Sequence, residues 1–161
     1  MTQNTVAAEM VRGTCGVLQV HLREFSDAQM FARPVPLANH AMWQVGHLIG
    51  SAVRMTALFG RPFTPPEWFA GKFTKDSSAF DDVGAFPSRA DLMAGFDAVY
   101  AALADAIQQA SPELLASESP ETVRRMAPTL GHVAILACSH VSMHIGQIQV
   151  IRRSLGFPVL F

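Results

Sequence analysis

Charge is scarce in this sequence and unevenly spread. Charged residues make up 16% of the chain, and none occurs from Pro34 to Val53 or between Arg125 and Arg152. The 12 basic and 13 acidic residues leave a net charge of −1, with no basic run. This excludes a chain built to grip nucleic acid by phosphate neutralisation. Cysteine is nearly absent: Cys15 and Cys138 are too few for a disulfide framework. Both fall in apolar helical patterns and are expected as buried, reduced thiols. Strict apolar–polar alternation is missing, so no strand is expected, and no internal repeat appears. The opening Met-Thr-Gln-Asn-Thr has neither the positive flank nor the apolar core of a secretory signal. A cytoplasmic location is the expectation.

Hydrophobic residues make up 50% of the 161 positions, enough for one domain, 1–161, around a sizeable core. Four apolar segments carry helical spacing. The first runs over Thr5–Phe25, with Val6, Met10, Val17, Leu18 and Leu22 as its apolar positions and Gly13 and Gly16 as tolerated weak points. The second is expected over Leu37–Phe59, after Arg-Pro-Val-Pro and before Gly60. Ser88 with Asp91 reads as the start of the third, which runs to Gln109 with Leu92, Phe96, Val99, Tyr100, Leu103 and Ile107 facing inward. The fourth runs from Thr129 to Leu155 and stops at Gly156-Phe-Pro158. Residues 60–87 form a long connection whose aromatic residues Phe63, Trp68, Phe69, Phe73, Phe80 and Phe86 predict a packed lid. Residues 111–128 read as a polar connection. The fold class is therefore all-α, a four-helix bundle with a long helix 2–3 connection. Residues 126–151 are long enough to span a bilayer, but His132, His140, His144, Gln147 and Gln149 would be costly in hydrocarbon. A buried bundle helix is expected there, not a membrane span.

His140 and His144 stand four residues apart inside that uncharged segment. At about 100° per residue they lie about 40° apart on one helical face, close enough to share a metal ion. Cys138 lies about 160° from His140 and should face elsewhere. The second uncharged helix offers His40 and His47, about 20° apart, with Gln44 some 60° from His47. Two His from one helix and one from its neighbour make a three-nitrogen site with open positions, the arrangement of a catalytic metal. Spacing leaves His40 and His47 both eligible. Gln44 and Gln147 are candidates for orienting imidazoles. His21, among Arg23 and Glu24, is expected on the surface, and His132 as a non-ligand near a helix start. Met126 and Met143 read as core filler. Glu67 is the one acid near the lid and is assigned no role.

Several separated motifs resemble the DinB-like family, which includes the YfiT-type metal-dependent hydrolases. Trp43-Gln-Val-Gly-His-Leu48 is similar to that family's second-helix motif, and His140-Val-Ser-Met-His-Ile-Gly-Gln147 to its last-helix motif. Ile151-Arg-Arg-Ser-Leu-Gly-Phe-Pro158 resembles the ending that follows, and Pro66-Glu-Trp-Phe, Phe73, Asp76-Ser-Ser78 and Phe86-Pro-Ser88 resemble the long connection of one branch. The resemblance implies a four-helix bundle with His47, His140 and His144 as metal ligands, selecting His47 over His40. It also implies a divalent ion, nickel or zinc, and a homodimer.

The leading functional expectation is a metal-dependent enzyme acting on a small molecule, by hydrolysis or by transfer or isomerisation with a low-molecular-weight thiol. No general base is identifiable, which favours thiolate chemistry, because a metal-bound thiol is deprotonated outright. The alternatives are a non-catalytic metal- or ligand-binding bundle and a helical interaction protein whose histidines are incidental.

Overall fold

Side-chain caps set where the helices begin. Thr2, His40, Ser88 and Ser111 each accept a hydrogen bond from the backbone N–H three residues on, satisfying a donor that the first helical turn leaves open. The computed structural model describes residues 2–70, 72–74 and 82–160. Its long helices are α1 (Gln3–Leu22), α2 (Ala41–Leu58) and α3 (Arg89–Gln108). Two short helices follow, α4 (Pro112–Ala116) and α5 (Glu121–Arg124), and then α6 (Leu130–Ser154). Among the described residues there is no sheet, only an isolated bridge between Glu118 and Thr129. Phe80, Asp76, Ser77 and Ser78 lie outside the described residues.

Each long helix packs mainly on two others: α1 on α3 and α6, and α2 on α3 and α6. Arg12 bonds Asp105 and Gln19 bonds Asp97, so α1 and α3 run antiparallel. Tyr100 approaches the Leu48 carbonyl and Arg61 bonds Gln109, so α2 and α3 run parallel. Two parallel neighbours cannot be joined by a tight turn, and the chain between them must return along the bundle. That return is the long helix 2–3 connection. It climbs back along α2: Phe69 lies against Gly50, Phe73 against Gly46, and Phe86 packs on His40 at 5.4 Å. Trp68 meanwhile seats on Gly95 of α3. Phe69 and Phe73 stack at 5.4 Å, and Phe73 meets Phe86 at 5.7 Å. The described part of this segment is thus the packed lid its aromatic content predicts.

The inward stripe of α3 is as expected, with Leu92, Phe96, Val99, Tyr100, Leu103 and Ile107 all buried. Helix α1 differs. Val6, Met10 and Val17 are exposed, and the buried face is Ala8, Val11, Cys15, Leu18 and Leu22. The inward stripe is therefore rotated around the helix from the one marked by Val6, Met10 and Val17, and it includes the small Ala8 and Cys15. Met126 and Met143 are likewise exposed rather than core filler: Met126 sits in the turn after α5, and Met143 on the outer face of α6. Helix α2 begins at Ala41, four residues later than the expected Leu37, which is 94% exposed with a left-handed φ of 70°. Residues 111–128 are a connection, but one that folds into α4 and α5.

His21 is buried, contrary to expectation, because the end of α1 docks on the end of α6. Its ring Nδ1 lies 2.8 Å from the Val17 carbonyl. The fully buried Arg152 donates to the His21 carbonyl at 2.7 Å and to Glu24 at 2.8 Å. Its guanidinium sits 4.9 Å over Phe157, which stacks on Phe25. Arg89 donates to the Leu22 carbonyl from the other side. Two cations thus satisfy the open carbonyls at the C-terminus of α1. Helix α6 is long and apolar enough to cross a bilayer, yet here it packs against α1, α2 and α4.

Gly46 gives the sharpest test of this packing. A Cβ there would lie 2.1 Å from the Phe73 ring. Alanine normally gains up to about 1 kcal/mol over glycine inside a helix, but overpacking costs about 1–3 kcal/mol. Gly46→Ala is expected to lower stability in urea titration and to speed proteolysis of the 60–87 connection. An unchanged or higher urea midpoint would contradict this seat for Phe73.

Candidate metal centre

His47 projects from α2 and His140 and His144 from α6, across the most open of the four helix seams. Their ligand nitrogens all lie within 4.8 Å of one another. His47 Nε2 is 3.2 Å from His140 Nε2, and His144 Nε2 is 3.3 Å from the same atom. Two metal–nitrogen bonds of about 2.0–2.1 Å at a tetrahedral angle place their nitrogens roughly 3.3–3.4 Å apart. The two separations from His140 match that spacing for a first-row ion.

Two of the three rings are also held from outside the cluster. His144 Nδ1 donates to Gln44 Oε1 at 3.0 Å, and the Gln44 amide donates to the Asn39 carbonyl at 2.8 Å. The second bond fixes the amide so that its oxygen faces His144, which puts the His144 proton on Nδ1 and the lone pair on Nε2. Trp43, one turn before His47, stacks flat on its ring at 4.9 Å with planes 6° apart. His47 also hydrogen-bonds the backbone of Phe73, so the lid holds this ring from the other side. One proton on His140 Nε2 could serve only one of the two facing nitrogens, whereas a cation serves all three.

The electrostatics favour the neutral, ligand form. Burial pushes the His144 imidazole down to about 3, helped by His140 and His47. Burial likewise pushes His140 down to about 4, with His47 and Arg54 adding to the effect. His47 is lowered by burial and by Arg54, against the hydrogen bond to Phe73.

Residues 12–148 match the DinB superfamily. The chain belongs to the DinB superfamily. No curated protein and no solved structure gave a match to it. The all-α bundle, the long connection and a three-His cluster able to chelate a divalent ion agree with what the motifs implied for a DinB-like chain.

The other sequence candidates fall into place around this cluster. His40 is the N-cap of α2, wholly buried between Phe31 and Phe86, and does not join the three rings. Because it precedes the helix, the angular comparison with His47 does not apply to it. Gln44 orients His144, whereas Gln147 is exposed. His132 is exposed and pairs with Thr129 Oγ1 at 2.8 Å rather than with a backbone group. Glu67 is exposed in a short 3-10 turn. Cys15 and Cys138 are buried free thiols, and burial pushes Cys15 up to about 12. Sequence reasoning missed the roles of Trp43 and Arg54. Both carry a readable signal, since Trp43 is four residues before His47 and Arg54 seven after it, on the same face of α2.

In the metal-free protein these shifts make stability depend on pH. An unfolded imidazole takes up its proton near pH ~6.5, whereas folded His140 and His144 resist protonation down to about 4 and 3. The unfolded state therefore binds more protons once pH falls below ~6.5, so the contribution is whole above that value and is lost as pH falls toward the folded values. Urea titrations in chelator from about pH 7.5 to about pH 5 should show falling stability, and His144→Gln should flatten the fall. A midpoint constant over that range would contradict neutral burial of the rings.

Proposed function

We propose that this DinB-superfamily chain is a divalent-metal-dependent enzyme acting on a small molecule, with His47, His140 and His144 as ligands and nickel or zinc as the metal. The Nε2 spacing of 3.2 and 3.3 Å, with the outer nitrogen of His144 tied to Gln44, carries this reading. Imidazole suits both metals. Such an ion supplies a Lewis acid that lowers the pKa of a water or thiol.

The residues around the cluster bear on which chemistry follows. A cavity of about 250 Å³ opens at His47, walled by Phe69 and Phe73 and bordered by Arg54 and Lys72. No carboxylate is among its described lining residues, so no described side chain is placed to take a proton from water. A thiol needs no such base, and we favour thiol transfer or isomerisation with a low-molecular-weight thiol over hydrolysis. The aromatic walls exclude water from one side of the cluster. A larger cavity, about 730 Å³, lies by the N-termini of α1 and α6 and contains none of the three histidines.

Elemental analysis of untagged protein should find about one divalent ion per chain, and His47→Ala or His140→Ala should lose it, since only three protein donors are offered. Wild-type protein that stays metal-free in nickel and zinc would sink the proposal. Turnover of an electrophile with a cysteine-type thiol, abolished in His144→Ala, separates an enzyme from a non-catalytic metal-binding bundle.

We further propose a homodimer. The exposed apolar side chains Val6, Met10 and Val17 on α1, and Ile135, Met143 and Val150 on α6, support a shared outer face on these neighbouring helices. Light scattering should give twice the chain mass at micromolar concentration, and a monomer there would refute it.

A further inference from the structure

Arg54 is the first charged residue of α2, seven positions after His47. Its guanidinium does not extend away from the histidine cluster. A Cβ placed on Gly50 would lie 3.6 Å from Arg54 Nη1, so the side chain folds back beside position 50. That brings it to within one helical turn of His47, roughly 5 Å along the axis. Gly50 lets both Arg54 and Phe69 approach the helix here, since a Cβ would lie 3.0 Å from the Phe69 ring. Arg54 and His47 line the same cavity of about 250 Å³, at the small end for a ligand site.

Arg54 donates to Ser51 Oγ at 3.1 Å, but none of the described carboxylates forms an ion pair with it. Lys72 also borders the cavity. A divalent ion held by three neutral imidazoles would add further positive charge beside the guanidinium, and no carboxylate stands among the described lining residues. A bound anion would supply negative charge within reach of both.

We propose that the site takes a compact organic anion, whose negative group is held by Arg54 while its reacting end faces the three imidazoles. The inference rests on the metal reading above and names its substrate class. The guanidinium fork fits a carboxylate, and a sulfonate shares the same chemistry. Phe69 and Phe73 wall a short apolar middle.

Cobalt(II)-loaded protein provides the test, because a thiolate reaching cobalt gives a charge-transfer band that reports binding without turnover. The probes are 3-mercaptopropionate, 2-mercaptoethanesulfonate and the neutral 3-mercaptopropionamide. Each anion-to-amide affinity ratio is compared between proteins, so that intrinsic differences among the thiols cancel. Arg54→Gln should lower the carboxylate ratio about tenfold, as expected for loss of a charge-assisted hydrogen bond. It should leave the amide's affinity and the cobalt content unchanged, and Arg54→Lys should restore part of the ratio. A fall in the sulfonate ratio alone would overturn the carboxylate assignment and keep the anion site. Ratios equal in wild type and Arg54→Gln, with cobalt fully bound in both, would overturn this inference alone. A wild-type protein that takes up no cobalt would overturn the metal reading and this inference with it.

Discussion

Because α2 and α3 run in the same direction, the chain between them has to travel back along the bundle, and much of the candidate site depends on that return. The connection is laid along α2, the helix that carries His47. Its aromatic rings need flat ground, and glycine supplies it at Gly46, Gly50 and Gly95. Once seated, the same segment gives His47 a backbone partner at Phe73 and gives the cavity its walls. A bundle of alternating up and down helices would have short loops there and an open groove over the histidines.

The helix seam chosen for the cluster follows from packing. Helices α2 and α6 meet less closely than the other three long-helix pairs, and the three imidazoles, larger than the alanines that pack elsewhere on α6, occupy that seam. Burying three such rings without partners would be costly. Gln44, Trp43 and Phe73 reduce that cost on the outer edges, so the unmet demand concentrates at the three Nε2 atoms. The rings stay neutral there, which leaves their Nε2 lone pairs able to hold a cation.

Much of this was legible in the sequence, for identifiable reasons. The inward face of α3 repeats regularly enough to be read directly, and the uncharged lengths of α2 and α6 mark them as the helices that bury polar groups. The pair His140 and His144 follows from helical spacing alone. The choice of His47 over His40 needed the family resemblance, since spacing treats them alike. Helix α1 misled because Val6, Met10 and Val17 are apolar at helical spacing on the wrong face, and hydrophobicity does not say which of two stripes faces inward. His21 and Arg152 were not readable either, because their burial depends on how the ends of two distant helices meet.

The start of α2 shows how a local capping choice reaches the chemistry. Had the helix begun at Leu37, the Asn39 carbonyl would accept from the Trp43 N–H in the regular ladder. Instead His40 Nδ1 takes that N–H at 3.0 Å, and the helix begins at Ala41. The Asn39 carbonyl is then available to the Gln44 amide, whose oxygen in turn receives the His144 Nδ1 proton. The cap that ends the preceding loop thereby sets the tautomer of a histidine on another helix. His40 contributes to the site without touching it: it decides which nitrogen of His144 carries the lone pair.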